Sequence, residues 1–151
     1  MSRPEVEFVD SLLAPLDGDL VRLLADDELI ARLRTLSEGR VDPRAEVFFR
    51  AAGGGAVLGP LYGFDGIIAG WREWLSTFAS YRLEFEDLFH DGHRVISLVR
   101  QTGRTIHGGV EVPSSPSAAI FDITDGVLTR AAFYMDRGDA AREEGFQLPG
   151  S

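Results

Sequence analysis

SAAIFDITDGVLTRAAFYMDR, residues 117–137, carries the clearest structural signal in the chain. Two runs rich in β-branched and aromatic residues flank Asp125-Gly126, a dipeptide suited to a two-residue hairpin loop whose central positions need positive φ. The stretch therefore reads as two antiparallel strands, SAAIFDIT and VLTRAAFYM. Working upstream, HRVISLVRQTGR and YRLEFEDLF have the same composition and are separated by Asp91-Gly92, a second hairpin dipeptide. Downstream, Asp136 can cap a short last helix over about 138–145.

Before this meander the pattern is helical. In FDGIIAGWREWLSTFASY, Asp65 can cap, and Ile67, Ile68, Trp71, Trp74, Leu75 and Phe78 recur at helical spacing, which predicts a long central helix. Ser2 and Glu5 form a capping box ahead of Val6, Val9, Leu12, Leu13 and Leu16, predicting a first helix over about 4–16. LVRLLADDELIARLRTL supplies one or two further short helices that Gly39 ends. AEVFFR, residues 45–50, is a short strand, and AAGGGAVLGP after it reads as a loop or bulged ribbon. Helices first and an antiparallel meander after them is an α+β order, in one domain spanning 1–151.

Composition removes several chemistries. With no cysteine there is no disulfide, no thiolate nucleophile and no sulfur-ligated metal. All 15 basic residues are arginine, so Schiff-base chemistry and a phosphate-loop lysine are excluded as well. A net charge of −9 without a basic run repels polyphosphate, so no nucleic-acid partner is expected. Neither a signal-peptide run nor a bilayer-spanning apolar segment stands out, which leads us to expect a cytoplasmic protein without membrane association.

The three histidines lie within HDGHRVISLVRQTGRTIH, residues 90–107. His90 and His93 flank Asp91-Gly92 and should face each other across that hairpin end. His107 is fourteen residues beyond His93, roughly 45 Å along one strand or about 20 Å with a fold-back at Gly103. The three cannot share an ion, and no metal is expected. GGGAVLG leads into Pro60 and Tyr62 rather than a helix, so it makes a weak phosphate loop. Two charges stand out in apolar strands: Asp122 within AAIFDI, where a carboxylate needs a partner or water, and Arg100 within VISLVRQ, where a guanidinium could anchor a carboxylate or carbonyl or simply form a surface pair.

GFDGIIAGWREWL, DGHRVISLVRQTGR and FDITDGVLTRAAFYMDRGDAAREEGF resemble, in wording and order, the SnoaL-like group of nuclear transport factor 2-like proteins, which includes ketosteroid isomerases, polyketide cyclases and limonene epoxide hydrolase. The resemblance is strongest over about 60–146 and implies a cone-shaped α+β fold, with the N-terminal helices and one long helix packed in a curved antiparallel sheet around an apolar pocket. Counted from Asp125-Gly126, it implies that Ala131, Phe133 and Met135 point inward from the last strand, and Ala118, Ile120 and Asp122 from the one before. Acids that active relatives carry match Phe133, Phe49 and Ala118 here, and the isomerase tyrosine falls near Ser11, so none of those catalytic sets carries over.

The remaining expectation is a pocket lined by Phe49, Tyr62, Trp71, Phe85, Ile120, Phe133 and Met135. Asp122 would be its acid or base, His107 a second candidate base, and Arg100 or Tyr62 would polarise a ligand oxygen. The partner would be a small apolar ligand, the assembly a homodimer and the cofactor none. Two functions compete: a cofactor-independent isomerase, cyclase or hydrolase acting on a hydrophobic carbonyl, epoxide or polyketide-like substrate, and a non-catalytic ligand-binding or dimerisation module.

Overall fold

The computed structural model describes residues 3–54 and 57–149. Ser2 of the expected capping box, with Gly55 and Ala56 of the glycine run, lies outside the described residues. Helix α1 spans Arg3–Leu13 and ends in a 3-10 turn over Ala14–Leu16. A two-residue strand β1 (Gly18–Asp19) and a single-turn helix α2 (Leu20–Leu23) follow. Helix α3 (Asp27–Ser37) begins where the Asp26 carboxylate accepts from the backbone N–H groups of Glu28 and Leu29, and it buries Leu29, Ile30, Leu33 and Ser37 along one face.

Strand β2 (Val41–Arg50) extends beyond the predicted six residues, and β3 (Val57–Tyr62) pairs with it across a register shift between Val47 and Phe49. The last four residues of the stretch expected to be a loop or bulged ribbon, 57–60, thus belong to an edge strand. Helix α4 (Gly63–Leu75) is the long helix, and Phe78 lies beyond it in the next strand. Asp65 sits inside its first turn rather than at its cap and binds Arg34 at 2.7 Å. Glycines place α4 against β2 and β3: a Cβ at Gly70 would stand 2.2 Å from the Phe49 ring, and one at Gly66 would stand 3.0 Å from Leu61.

The meander follows as β4 (Phe78–Asp91), β5 (Arg94–Thr105), β6 (Glu111–Thr124) and β7 (Val127–Tyr134), and α5 (Arg137–Glu144) closes the chain under its Asp136 cap. The seven strands run in the order β1-β4-β5-β6-β7-β2-β3, antiparallel except for β2 and β7, which are parallel. One face of this curved sheet holds α1 to α4 over the main core, and the other carries α5 over a smaller cluster built on Ile96, Leu98, Ile120, Tyr134 and Phe146.

The two hairpins differ from each other. Thr124 pairs with Val127, and Asp125 and Gly126 both have positive φ, as read from the sequence. At the other, Asp91 pairs with Arg94, so the loop is Gly92-His93, with the positive φ at Gly92. That one-residue difference sets His90 opposite Val95 instead of His93.

Candidate functional site

The inner face of the sheet encloses a cavity of about 90 Å³. Its floor is made by small side chains on β5 and β6, Ser97 paired with Ala119 and Val99 paired with Ser117. Leu12, Leu13 and Leu16 of the N-terminal segment and Phe64, Ile67 and Trp71 of α4 cover it. Larger residues at Ser97 and Ala119 would close the gap, so the cavity exists because the sheet is under-filled there. Leu12, Leu16, Phe64 and Phe85 are half-buried and form its rim.

Of the expected lining, Trp71, Phe85, Phe133 and Met135 are in the cavity wall. Phe49 is fully buried behind them, stacked on Phe133 at 4.8 Å and edge-on to Trp71 at 5.2 Å, and belongs to the core. Tyr62 is 54% exposed on β3, away from the cavity.

Ile120, Asp122 and Arg100 fall on the outer face of the sheet. For Ile120 and Asp122 the cause is one residue. From the Asp125-Gly126 turn the pairing is regular as far as Ile123 and Leu128, but Asp122 then pairs with Arg130, and Thr129 is extra. This bulge shifts the register by one: β6 alternates without a break, with Ile123, Phe121 and Ala119 all inward, while β7 passes from Leu128 to Ala131 as successive inward residues, so its inward residues lie opposite that set of β6. Ala119 and Phe121, paired with Phe133 and Ala131, point inward; Ala118, Ile120 and Asp122 point outward. The inward assignment of Ala131, Phe133 and Met135 agrees with the structure.

On the outer face Asp122 lies 3.6 Å from Arg130, with one carboxylate oxygen buried and without a hydrogen-bond partner. Arg130 is committed elsewhere, donating twice to Glu144 at 2.9 and 2.7 Å, and the Tyr134 hydroxyl donates to the same carboxylate at 2.6 Å. Burial alone would raise the Glu144 pKa, but the bonds from Arg130 and Tyr134 outweigh it and hold the carboxyl below its ordinary value. Burial and then that same bond push the Tyr134 hydroxyl up. Arg100 binds Glu86 at 3.2 Å, and Arg137 binds the other oxygen of Glu86 at 2.6 Å. These groups fasten α5 and brace the outer sheet; none opens into the cavity.

The histidines are dispersed. His90 meets Glu5 of α1 at 3.0 Å, His93 occupies a hairpin loop, and His107 is exposed at the opposite tip, where its carbonyl accepts from the Thr105 hydroxyl at 2.9 Å. Among the described residues no group of three or more histidine, aspartate or glutamate side chains is placed to hold a metal ion.

The polar groups that do reach the interior were not singled out from the sequence. Ser37, Ser97, Gln101 and Ser117 line the cavity, and Tyr81 lies behind Gln101. The Trp74 indole N–H donates to the Tyr81 hydroxyl at 3.2 Å, and that hydroxyl donates to the Gln101 carbonyl oxygen at 2.5 Å. The Gln101 amide nitrogen faces the Met135 sulfur at 3.1 Å. Burial pushes the Tyr81 phenol up to about 12, against the lesser opposing effect of Trp74. A signal did exist: Val95, Val99 and Gln101 share one alternating set, so a strand read by its two-residue period puts Gln101 inside and Arg100 outside.

A sheet curved around one long helix, with a cavity under the N-terminal helices, agrees with a match to the SnoaL-like domain over residues 31–131. The chain belongs to the SnoaL-like family. No curated protein matches this member. Its fold is shared with a protein described as a SnoaL-like polyketide cyclase from Jannaschia sp. CCS1, at 18% identity and a TM-score of 0.64, covering 91% of this chain and 89% of that one. TerC, co-crystallised with polyporic acid, is 18% identical with a TM-score of 0.59, over 93% of this chain and 96% of TerC. Bal32a, from a soil-derived mobile gene cassette, has 14% identity and a TM-score of 0.60 over 87% and 88%. At these identities the likeness is one of fold. The family includes polyketide cyclases and isomerases, and among the described residues no helix is long and apolar enough to cross a membrane.

Proposed function

We propose that this SnoaL-like protein binds a small, predominantly apolar molecule in the cone and does so, among the described residues, without a charged side chain in the cavity wall. The observation that carries this reading is the wall itself: apart from Ser37, Ser97, Gln101 and Ser117 it is hydrocarbon and aromatic surface. Such concave, mainly apolar sites with a few fixed polar groups are what small-molecule binding requires. That a protein of the same fold was crystallised with an organic acid supports the choice of a small molecule over a macromolecule.

Of the two functions weighed above, the non-catalytic binder is favoured, because Asp122, the one credible acid, is on the far side of the sheet beside Arg130. The size of the site limits the ligand. A dry cavity of about 150 Å³ admits benzene, so a space of about 90 Å³ takes a smaller ring outright, or a larger ligand if rim residues such as Leu12 and Phe85 move aside.

Dimerisation through the exposed outer sheet would be a polar contact, since Arg82, Glu84, Glu86, Arg100 and Arg104 occupy the outward positions of β4 and β5. Light scattering at low and high salt tests it: a dimer that dissociates as salt rises is expected, and one indifferent to salt argues for another face.

Titration of Trp71 fluorescence with small cyclic hydrocarbons and ketones tests the binding reading. Saturable binding is expected in the wild type and loss of it in Ala119→Leu, whose added side chain occupies the cavity floor. Equal binding by a folded Ala119→Leu variant would place the ligand elsewhere and overturn the proposal.

A further inference from the structure

The hydrogen bonds behind the cavity have a direction. The Tyr81 hydroxyl has one proton and two neighbours able to accept it, the Gln101 carbonyl oxygen at 2.5 Å and the Met135 sulfur at 3.7 Å. The amide oxygen is both nearer and the stronger acceptor, so it takes the proton. The opposite amide orientation would point an N–H group at a hydroxyl that already accepts from Trp74, and would leave the hydroxyl proton only the distant sulfur. A phenol is protonated through the neutral range, and burial raises its pKa further, to about 12. One of the two acceptor sites of the Gln101 carbonyl oxygen is therefore taken. The amide nitrogen carries two protons and faces a thioether, a weak acceptor, at the edge of an otherwise apolar space. Gln101 is only 6% exposed, so an unused N–H there lacks water to compensate it.

We infer that Gln101 determines the ligand's chemistry: the cavity selects a neutral molecule presenting a carbonyl-type acceptor oxygen to the Gln101 amide nitrogen, with Tyr81 and Trp74 as positioning residues that keep the amide from reversing. This rests on the binding reading above and narrows it. A ligand that only donates must share the Gln101 oxygen with Tyr81 and leaves the amide N–H unanswered. A carboxylate finds, among the described residues of the wall, only neutral donors such as the Gln101 amide and serine hydroxyls, and no arginine, too little to offset loss of its hydration.

Cyclohexanone and methylenecyclohexane test this as a pair, since they have nearly the same shape and differ by oxygen against CH₂. The chain contains no asparagine and only two glutamines, Gln101 and Gln147, so its side-chain amide NMR signals are two pairs, assigned by Gln101→Met. Cyclohexanone should shift the Gln101 pair and methylenecyclohexane should leave it nearly unmoved. In Gln101→Met the ketone should weaken about fivefold to tenfold relative to the alkene, the range of one net hydrogen bond. In Tyr81→Phe, which retains the ring packing, the ketone should weaken severalfold while the alkene is unchanged; a purely structural role would move both.

If both ligands bind and their ratio is the same in the wild type and in both variants, the carbonyl inference is wrong and the apolar-binding reading stands. If neither this pair nor the smaller cyclobutanone and methylenecyclobutane binds the wild type, both fall. Should Gln101→Met fail to fold by circular dichroism, Tyr81→Phe and the wild-type amide shifts still decide: an unmoved Gln101 pair under saturating cyclohexanone overturns the inference.

Discussion

The two faces of the sheet are built from opposite materials. The inner face carries alanine, serine, valine and aromatic rings around a gap, and its buried hydrogen-bond chain of Trp74, Tyr81 and Gln101 is made of neutral groups. The outer face is filled, and α5 is fastened to it by charge: Glu144 accepts from Arg130 and Tyr134 with its carboxylate and from Arg94 with its backbone carbonyl at 2.5 Å. At the start of α5, buried Asp139 accepts from the Gly53 backbone N–H at 2.8 Å, tying the helix to the turn between β2 and β3. Stability and ligand space are thus assigned to opposite faces. Ionisable groups in this protein hold elements together, and the space available to a ligand is defined by what the inner strands omit.

The sharpest way to break that division is Glu144→Ala. It leaves Arg130 without its bidentate partner and Tyr134 without its acceptor, and removing one member of such a buried pair costs about 3–5 kcal/mol. Urea denaturation should show that loss, with ligand affinity unchanged while the protein is folded; a large affinity change would mean the faces are coupled. Next in size, Ala119→Leu should weaken ligand binding at least tenfold, about 1.4 kcal/mol, while altering the denaturation midpoint little because the added atoms enter existing space.

Acid sharpens the contrast further. The Glu144 carboxyl is held below its ordinary value in the folded protein, so the stability it contributes is complete above the unfolded pKa, near 4.5, and is lost as pH falls through the folded value. Stability measured from pH 6 down to pH 3 should fall less steeply in Glu144→Gln than in the wild type. The smallest effect is expected for Asp122→Asn: about 1 kcal/mol or less in stability, since Arg130 keeps both bonds to Glu144, and no change in ligand affinity. A marked loss of binding in that variant would return Asp122 to the site.

Much of the fold is legible in the residues because its signals are local. The positive-φ pair Asp125-Gly126, the Asp136 cap and the periodicity from Ile67 to Leu75 each specify their own element and agree with the structure. The site was less legible because it depends on relations between strands. Thr129 has nothing in its chemistry to mark it as the extra residue of a bulge; only the pairing of Asp122 with Arg130 identifies it. The hairpin at Gly92-His93 slips by one residue in the same way, which is why His90 meets Glu5 and not His93. Charges drew attention to Arg100 and Asp122, yet a charge in an apolar strand more often marks the outward positions. The neutral Gln101, one residue from Arg100, is the inward one.

The bulge at Thr129 also bears on how members of this family are aligned. A relative with a regular hairpin would pair these two strands one residue out of step, and one of them would then present the opposite set of alternating columns to its interior. Column-by-column comparison would then credit one protein with an acid it keeps outside and deny it to another that holds it within. Insertions and deletions of a single residue at this hairpin are thus a route by which a lineage could exchange the contents of its cavity with those of its exterior, without substituting any residue of the strand itself.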